Sequence, residues 1–369
     1  MKDDAKKIFL VAGARPNFMK IAPVARALEK EPERFSYKIV HTGQHYDRGM
    51  SDVFFEELGI LAPDYHLEAG SGSHARQTAK VMTAFESLCK EDPPDLVVVV
   101  GDVNSTLACS ITAKKLLIPV AHVEAGLRSR DMTMPEEINR IVTDAISDYL
   151  FVTEKSGEDN LMAEGRSKDQ IFFVGHVMID NLMYQLDRLK TLPKADLPSN
   201  ALKDRFARYG VVTLHRPSNV DDKKVLKGIA EALATLSKDL PLIFPVHPRT
   251  RKNLDRFGIV LDSGIVTTEP LSYMDFLNLW KDAALVLTDS GGLQEETTAL
   301  GISCLTLRDN TERPVTVSEG TNRVIGSDPE AILAEAGNIL RGKAKKGGRP
   351  ALWDGRAAER IVEVLKKAL

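Results

Sequence analysis

The sequence predicts an α/β protein built from two doubly wound parallel sheets. Short runs rich in β-branched and aromatic residues alternate with amphipathic segments along the chain, the pattern produced by right-handed β-α-β crossovers. Leu96–Val100 is apolar throughout, as expected of a central strand covered on both faces. Because 369 residues exceed one typical hydrophobic core, two domains are expected.

The individual elements follow from the period of the apolar residues. Strands are predicted at Ile8–Ala12, Tyr37–His41, Leu96–Val100, Val120–Val123, Tyr149–Val152, Ile171–Val174, Val211–Leu214, Leu242–Val246, Ile259–Leu261, Leu285–Thr288 and Cys304–Leu307. Helices are predicted at Phe18–Leu28, Met50–Leu58, Thr78–Leu88, Ser105–Leu116, Ile138–Ile146, Lys224–Leu236, Tyr273–Trp280, Leu293–Leu300, Pro329–Ile339 and Arg356–Ala368.

The proline-containing stretch KTLPKADLPSN, residues 190–200, is the best linker candidate. We therefore predict a first domain over residues 1–188 and a second, nucleotide-binding domain over residues 189–355. The last helix, residues 356–369, is expected to pack back on the first domain. Two Rossmann-like domains facing a cleft are the predicted architecture.

Composition excludes several classes of protein. The net charge of -3 provides no basic excess with which to displace counterions from a nucleic acid. The apolar run near the N-terminus is too short for a signal peptide or a membrane span, so a cytoplasmic protein without a membrane partner is expected. Cys89, Cys109 and Cys304 are widely separated and are predicted to be reduced core thiols.

The segment Val120–Arg140 carries the densest set of ionisable residues. Glu124 stands where an apolar strand ends, and Glu136 follows Pro135 at a predicted helix start, where negative charge is favoured. Carboxylates beside arginines at a strand end suit proton transfer near an anionic substrate. Alternatively, Glu136 and Arg140 form an ordinary i,i+4 surface pair. The segment alone supports both interpretations equally.

Two other turns of the first half follow predicted strands. GARPN, residues 13–17, presents Arg15, with Lys20 five residues later, and could bind phosphate or carboxylate. It lacks the G-x-G-x-x-G dinucleotide fingerprint. Asp102 follows Leu96–Val100. It is either a site carboxylate, or it or Ser105 caps the next helix. Capping is the simpler interpretation of Asp102 alone.

The second half supplies two histidines and a glycine-rich turn. His215 and His247 each close a predicted strand, and without other ligands at metal-binding spacing they predict no zinc site. Ser290-Gly291-Gly292 connects a strand to a helix, so bare backbone amides there could bind phosphate. Glu296, about one turn further along, could accept hydrogen bonds from ribose hydroxyls. A serine cap explains this turn less well, because it needs no successive glycines.

Taken together, these motifs resemble the non-hydrolysing UDP-N-acetylglucosamine 2-epimerases. GARPNFMKIAP, QHYD, GDVNST, HVEAGLR, PEEINR, TLHRP, FPVHPR, TDSGGLQEE and TERP occur in the family's order over about residues 13–326. The resemblance implies a glycosyltransferase-B-like fold, a homodimer, and interconversion of UDP-GlcNAc and UDP-ManNAc for polysaccharide biosynthesis. It implies elimination of UDP through a 2-acetamidoglucal, with neither a metal nor another cofactor.

The resemblance also implies site residues. Its catalytic positions match Asp102, Glu124, Glu136 and His215. Its substrate-binding positions match Arg15, Lys20, Arg140, His247, Phe276, Ser290, Gly291, Gly292, Glu296 and Arg313. Gln44 and His45 fall in the region that resembles the family's activator site. Phe276 is expected on the uracil side, and the serine–glycine turn at the diphosphate.

The sequence departs from the family pattern in places. Pro217 replaces a second arginine after the histidine, and Tyr46-Asp47 stands in the activator region. The exact sugar and the allosteric behaviour are therefore open. A same-family epimerase for a UDP-diacetamido-uronic acid, or a hydrolysing epimerase releasing ManNAc, are alternatives. A glycosyltransferase and a non-catalytic nucleotide-sugar sensor are further possibilities that turnover without an acceptor would exclude.

Overall fold

The computed structural model describes residues 5–43 and 52–369. The chain divides into two compact units, the first comprising Met1–Met183 with Ala351–Leu369 and the second comprising Tyr184–Pro350. The first crossing between the units falls inside the helix Val177–Thr191. The chain then returns to the first unit at residues 350–351.

The described strands, in chain order, are β1 (Lys6–Ala12), β2 (Phe35–His41), β3 (Tyr65–His66), β4 (Leu96–Val100), β5 (Val120–Ala125), β6 (Tyr149–Val152), β7 (Ile171–Phe173), β8 (Gly210–Thr213), β9 (Leu242–Pro245), β10 (Ile265–Thr268), β11 (Leu285–Thr288), β12 (Cys304–Thr306) and β13 (Asn322–Val324).

The described α-helices are α1 (Arg15–Leu28), α2 (Asp52–Leu58), α3 (His74–Glu91), α4 (Asn104–Lys115), α5 (Pro135–Ile146), α6 (Lys155–Ala163), α7 (Val177–Thr191), α8 (Ser199–Lys203), α9 (Pro217–Val220), α10 (Lys223–Leu236), α11 (Pro248–Phe257), α12 (Tyr273–Trp280), α13 (Gly291–Leu300), α14 (Pro314–Ser318), α15 (Pro329–Leu340) and α16 (Ala357–Ala368). Within residues 5–43 and 52–369, no helix combines the length and apolar character that a membrane span requires.

Each unit contains one parallel sheet with the doubly wound strand order. The first sheet runs β3-β2-β1-β4-β5-β6-β7 and the second runs β10-β9-β8-β11-β12-β13. Strand order reverses between β1 and β4 in the first sheet and between β8 and β11 in the second. Such switch points open crevices at the carboxyl ends of the strands, where ligands of these folds bind. The predicted fold class of two doubly wound α/β domains is confirmed.

The last helix belongs to the core of the first unit. Ile361 and Leu365 of α16 join Ile21 of α1 in one buried apolar cluster. The segment before α16 is anchored by Trp353, which is 1% exposed and donates a hydrogen bond from Nε1 to the carbonyl of Thr153 at 3.1 Å. The C-terminal segment therefore completes the packing of this unit.

The predicted strand at Ile259–Leu261 is wrong. α11 ends at Phe257, and Gly258 adopts a left-handed conformation with φ of 65°. The amide of Gly258 bonds to Asp255 and that of Ile259 bonds to the carbonyl of Leu254, which is a Schellman cap. The amide of Ile259 is therefore used by the helix end, and the next apolar run, Ile265–Thr268, pairs with β9 instead.

The anchoring of the C-terminal segment gives a stability prediction. Trp353→Ala removes a fully buried ring and its hydrogen bond, which should lower the free energy of unfolding of the first unit by about 3–5 kcal/mol. Urea denaturation followed by circular dichroism measures this loss. Trp280, the other tryptophan of the chain, lies in the second unit, so its fluorescence provides the internal control. An unchanged unfolding midpoint by circular dichroism would contradict the prediction.

Candidate active site

Glu124 lies at a break in the regular backbone of β5. Pairing between β5 and β6 shifts register between Val123 and Ala125, and Glu124 has φ of 70°. The left-handed region is unfavourable for a residue other than glycine, and such strain costs about 1–3 kcal/mol. Bulges of this kind often re-aim a side chain next to an active site. The strain therefore supports a functional role for Glu124.

A buried cation contacts Glu124. Lys20 of α1 forms an ion pair with Glu124, and the two side chains are 12% and 2% exposed. Gly101, after β4, has φ of 65°, and a Cβ built on it would lie 3.0 Å from Lys20 Nζ and 3.8 Å from Glu124 Oε2. Only glycine fits this turn without displacing the ion pair. The predicted phosphate cation Lys20 is thus bound to a carboxylate in this structure.

Asp102 and Arg140 meet directly. Arg140 Nη1 lies 2.5 Å from Asp102 Oδ2, and its other nitrogens bond to Glu137 Oε2 at 2.6 and 3.0 Å. Asn139 also donates to the carbonyl of Asp102 at 2.8 Å. Arg140 is 5% exposed. The alternative of a surface pair between Glu136 and Arg140 is therefore wrong, because Arg140 is buried against Asp102 and Glu137.

The capping interpretation of Asp102 and Ser105 is also wrong. The N-cap of α4 is Val103, without a capping hydrogen bond from its side chain. Ser105 Oγ instead lies 2.7 Å from Thr42 Oγ1. The carboxylate of Asp102 is thus held by Arg140 rather than by a helix end.

Glu136 and Arg15 stand near these groups in the chain but are less enclosed. Glu136 is half-buried in the first turn of α5, three and four residues before Asn139 and Arg140, and so shares a helix face with them. Among the described residues Glu136 has no ion-pair partner within 4.0 Å. Arg15 is exposed at the first position of α1, directly after the turn that follows β1.

In the second unit, His215 and Asp289 form a dyad at the switch point. His215 Nδ1 lies 2.7 Å from Asp289 Oδ1, with Asp289 fully buried and the histidine 41% exposed. The amides of His215 and Arg216 donate to Asp289 Oδ2 at 2.9 and 2.8 Å. Burial alone would raise the pKa of Asp289, yet these hydrogen bonds and the histidine charge hold it below its ordinary value. Nε2 of His215 takes no part in the dyad and can contact a ligand.

His247 lies beside this dyad. Its ring centroid is 5.8 Å from that of His215, and its Nδ1 accepts a hydrogen bond from the amide of Arg249 at 3.2 Å, capping α11. Because Nδ1 is an acceptor, the neutral ring carries its proton on Nε2. Burial, reinforced by the nearby His215, lowers the pKa of His247. His247 can therefore donate from Nε2 to an anion.

The side-chain positions of the serine–glycine turn have no structural role in the described chain, although the Ser290 backbone bonds to Thr288 and Gln294. Ser290 is the N-cap of α13, but its side chain makes no capping bond within the described chain. Among described atoms, none lies within 4 Å of a Cβ built on Gly291 or Gly292. Neither packing nor a left-handed backbone requires these glycines. Their small size leaves the first amides of α13, which have no intrahelical acceptor, open to a ligand.

The remaining predicted residues lie around α12 and α13. Glu296 is 6% exposed, and its Oε1 accepts a hydrogen bond from the Tyr273 hydroxyl at 2.9 Å. Phe276 lies one turn after Tyr273 on the same face of α12 and is half-buried. Arg313 Nε lies 2.6 Å from Glu295 Oε1. Glu296 thus bonds to Tyr273, one turn before Phe276 on α12, whereas Arg313 contacts the neighbouring glutamate.

Gln44 and His45, the expected activator residues, lie outside the described residues. Across residues 5–43 and 52–369, no cluster of three or more histidine, cysteine or acidic side chains is arranged to hold a metal ion.

Sequence reasoning missed Asp289, Glu137 and Tyr273. Asp289 directly follows a strand, the same positional signal that singled out Asp102, and could have been found from it. Glu137 could not be separated from its neighbour Glu136 without knowing which of the two points inward. Tyr273 gave no signal, because its contact with Glu296 joins two helices distant in sequence.

Comparisons with known proteins show which family the chain belongs to. Residues 26–366 match the family model described as UDP-N-acetylglucosamine 2-epimerase. The UDP-N-acetylglucosamine 2-epimerase of Methanocaldococcus jannaschii is 43% identical over 97% of this chain and 98% of its own. A Pseudomonas aeruginosa UDP-2,3-diacetamido-2,3-dideoxy-D-glucuronate 2-epimerase is 41% identical over 98% of this chain and 99% of its own.

A solved structure extends the similarity to three dimensions. The crystal structure of the Methanocaldococcus jannaschii UDP-GlcNAc 2-epimerase in complex with UDP-GlcNAc and UDP superposes with a TM-score of 0.83 at 42% identity, covering 98% of this chain and 99% of that one. Family model, sequence relatives and structure agree over nearly the whole chain. The chain belongs to the UDP-N-acetylglucosamine 2-epimerase family of enzymes.

Proposed function

We propose that this enzyme is a non-hydrolysing epimerase that interconverts UDP-GlcNAc and UDP-ManNAc. The observation that carries the proposal is the pairing of two carboxylates with separate cations at adjacent strand ends, Glu124 with Lys20 and Asp102 with Arg140. The third carboxylate, Glu136, lies on the helix that holds Asp102. The Methanocaldococcus jannaschii relative bound to UDP-GlcNAc and UDP supports the substrate.

The chemistry requires an indirect route, because the C2 hydrogen of the sugar is not adjacent to a carbonyl. In the proposed elimination, a carboxylate takes the C2 proton, the C1–O bond breaks, and UDP departs with its electron pair. A C1–C2 double bond remains, giving 2-acetamidoglucal. Re-addition of UDP to C1, with proton delivery to the opposite face of C2, gives the epimer. Asp102, Glu124 and Glu136 carry these proton transfers as a group.

Most of the groups assigned to the leaving diphosphate lie in the second unit, whereas Arg15 lies in the first. The amides at the start of α13, with the Ser290 hydroxyl, provide donors in the field of a helix N-terminus. His215, oriented by Asp289, and His247, protonated on Nε2, add donors, and Arg15 and Arg313 add positive charge. Phe276 and Glu296 are assigned to the uracil and the ribose. Fixed donors of this kind stabilise charge as it develops on UDP.

A second candidate substrate has a specific observation in its favour. The Pseudomonas aeruginosa relative, at 41% identity, is a UDP-2,3-diacetamido-2,3-dideoxy-D-glucuronate 2-epimerase. The same elimination would serve that sugar, which bears a carboxylate at C6 and a second acetamido group at C3. Comparing kcat/KM for the two UDP-sugars decides between the candidates.

Assembly, location and pathway are proposed from the family resemblance. We expect a homodimer in the cytoplasm, binding no nucleic acid and no membrane, with a product that serves polysaccharide biosynthesis. A hydrolysing epimerase would instead release free ManNAc and UDP.

The elimination route predicts exchange with solvent. Purified enzyme with UDP-GlcNAc in deuterium oxide, with EDTA and without a nicotinamide cofactor or an acceptor, should yield UDP-ManNAc carrying deuterium at C2. Proton NMR follows both the anomeric signals and the loss of the C2 hydrogen. Epimer that retains the original C2 hydrogen would exclude this mechanism, and free ManNAc would indicate the hydrolysing reaction.

The carboxylates should matter for turnover and not for UDP binding. Glu124→Gln and Glu136→Gln keep side-chain size but cannot accept a proton, so kcat should fall by about 10²–10⁴-fold with UDP affinity nearly unchanged. Glu330→Gln is a matched control, since Glu330 also follows a proline in the first turn of a helix and is exposed. Near-normal turnover of both folded variants would remove these glutamates from the mechanism.

The glycine turn should be needed for nucleotide binding and not for folding. A side chain at Gly291 meets no described atom within 4 Å, so Gly291→Val should fold normally while blocking approach of phosphate to the backbone. Calorimetry should show at least about tenfold weaker UDP binding, equivalent to about 1.4 kcal/mol. Gly348→Val is the control, because Gly348 is also unobstructed but lies after α15. Unchanged UDP affinity in Gly291→Val would place the diphosphate elsewhere.

A further inference from the structure

His122 is a fully buried polar residue at the centre of the first sheet. It lies on β5, opposite Val99 of β4 and Leu150 of β6, and is 0% exposed. Its neighbours along the strand, Ala121 and Val123, are buried apolar residues. His122 is not among the assigned site residues, and the proposed reaction does not involve its ring. The burial of this histidine therefore needs another explanation.

Both nitrogens of the ring contact oxygen atoms. His122 Nε2 lies 2.8 Å from the carbonyl oxygen of Gly101, and Nδ1 lies 2.6 Å from Asp144 Oδ1. A backbone carbonyl can only accept, so Nε2 carries a proton. Asp144 Oδ2 accepts from the amide of Gly126 at 3.0 Å and from Arg128 Nη2 at 2.8 Å, as expected of an ionised carboxylate.

Because Asp144 is ionised, Nδ1 must also carry a proton, and the ring is an imidazolium. Burial by itself raises the pKa of Asp144, but His122, Arg128 and the Gly126 amide together hold that pKa below its ordinary value. Arg128 is bound in turn by Glu164 at 2.6 and 2.8 Å. The charges of the buried His122, Asp144 and Arg128 are thus balanced by the exposed Glu164, which offsets the cost of burying them.

The cluster holds the two turns that carry Asp102 and Glu124. Gly101 directly precedes Asp102, and its carbonyl is fixed by His122. Gly126 follows Glu124 by two residues, and its amide is fixed by Asp144. Gly101 and Glu124 both have left-handed backbones, with φ of 65° and 70°. The cluster therefore bonds to the residue before Asp102 and to a residue just after the strained backbone of Glu124.

We propose that the buried His122–Asp144 ion pair is the positioning device for both carboxylates: it clamps the turns after β4 and β5 so that Asp102 and Glu124 keep their relative placement. The two residues touch no substrate and act through Gly101 and Gly126. α5 contributes twice to this arrangement, because Asp144, which clamps the turns, and Arg140, which binds Asp102, lie on the same helix. The inference rests on the proposed function in that these carboxylates perform the proton transfers.

The protonation state of the ring tests the proposal in the wild-type enzyme. With ¹⁵N-labelled histidine, the signals of His122 are identified by their loss in His122→Gln. Both ring nitrogens should be protonated at pH 7, because the Gly101 carbonyl and the Asp144 carboxylate each require a donor. The charged groups facing the ring directly or through Asp144 are Asp144, Arg128 and Glu164. A neutral ring at pH 7, with one bare nitrogen, overturns the proposal, and this measurement requires no variant to be active.

A charge-removing variant tests the positioning role. Asp144→Asn keeps the shape but removes the counter-charge, so His122 should become neutral and kcat should fall by about 10²-fold, the loss typical of small misplacement of reacting groups. UDP affinity should stay within about twofold, because the diphosphate groups assigned above lie in the second unit apart from Arg15 of α1. His66→Gln, at an exposed histidine of β3, is the control and should behave like the wild type. Folded Asp144→Asn with normal kcat overturns the positioning role.

These experiments distinguish an error in the positioning proposal from an error in the proposed function. If wild-type enzyme does not epimerise UDP-GlcNAc, the proposed function fails while the protonation of His122 can still be measured. If the wild type turns over but His122 is neutral, the function stands and the positioning proposal fails. Should Asp144→Asn not fold, the wild-type spectrum still decides whether the ion pair exists.

Discussion

Buried carboxylates must be matched by positive charge, and this requirement organises the first unit. Removing one partner of such a pair commonly costs about 3–5 kcal/mol, because the other charge is left without compensation. The buried Glu124 is matched by Lys20 and the buried Asp144 by His122 and Arg128, while the half-buried Asp102 is held by the buried Arg140. These ion pairs hold α1 and α5 at the ends of β4 and β5. The positions of the carboxylates proposed as catalytic and the stability of the helix packing thus depend on the same contacts.

The second unit uses backbone groups where the first uses ion pairs. Asp289 is fully buried, yet it receives two amide hydrogen bonds in addition to His215. α13 leaves its first amides uncovered and places no side chain over them at Gly291 and Gly292. A helix end with bare amides suits a diphosphate, whereas paired carboxylates suit proton transfer. The two units therefore differ in chemistry although their strand orders are equivalent.

The local sequence pattern was enough to predict most helices and strands. It failed where a helix cap uses a backbone amide that a strand would need. The all-apolar run Leu96–Val100 is a strand with the bounds that the sequence predicts. Ile259–Leu261 has a similar composition, but the left-handed Gly258 commits the amide of Ile259 to the end of α11. Hydrophobicity identifies a segment to be buried. It does not reveal which backbone amides are already used.

The sequence by itself determined the fold class, the family, and which residues stand at strand ends, because these depend on local periodicity and on the order of motifs. Only the tertiary structure decided how those residues pair. Arg140 could have bonded to Glu136 four residues away, yet it turns inward to Glu137 and Asp102. Likewise, the histidine of HVEAGLR gave no sign of contacting both Gly101 and Asp144. Such contacts join residues distant in the chain, and burial there makes their charges interact strongly enough to fix the geometry.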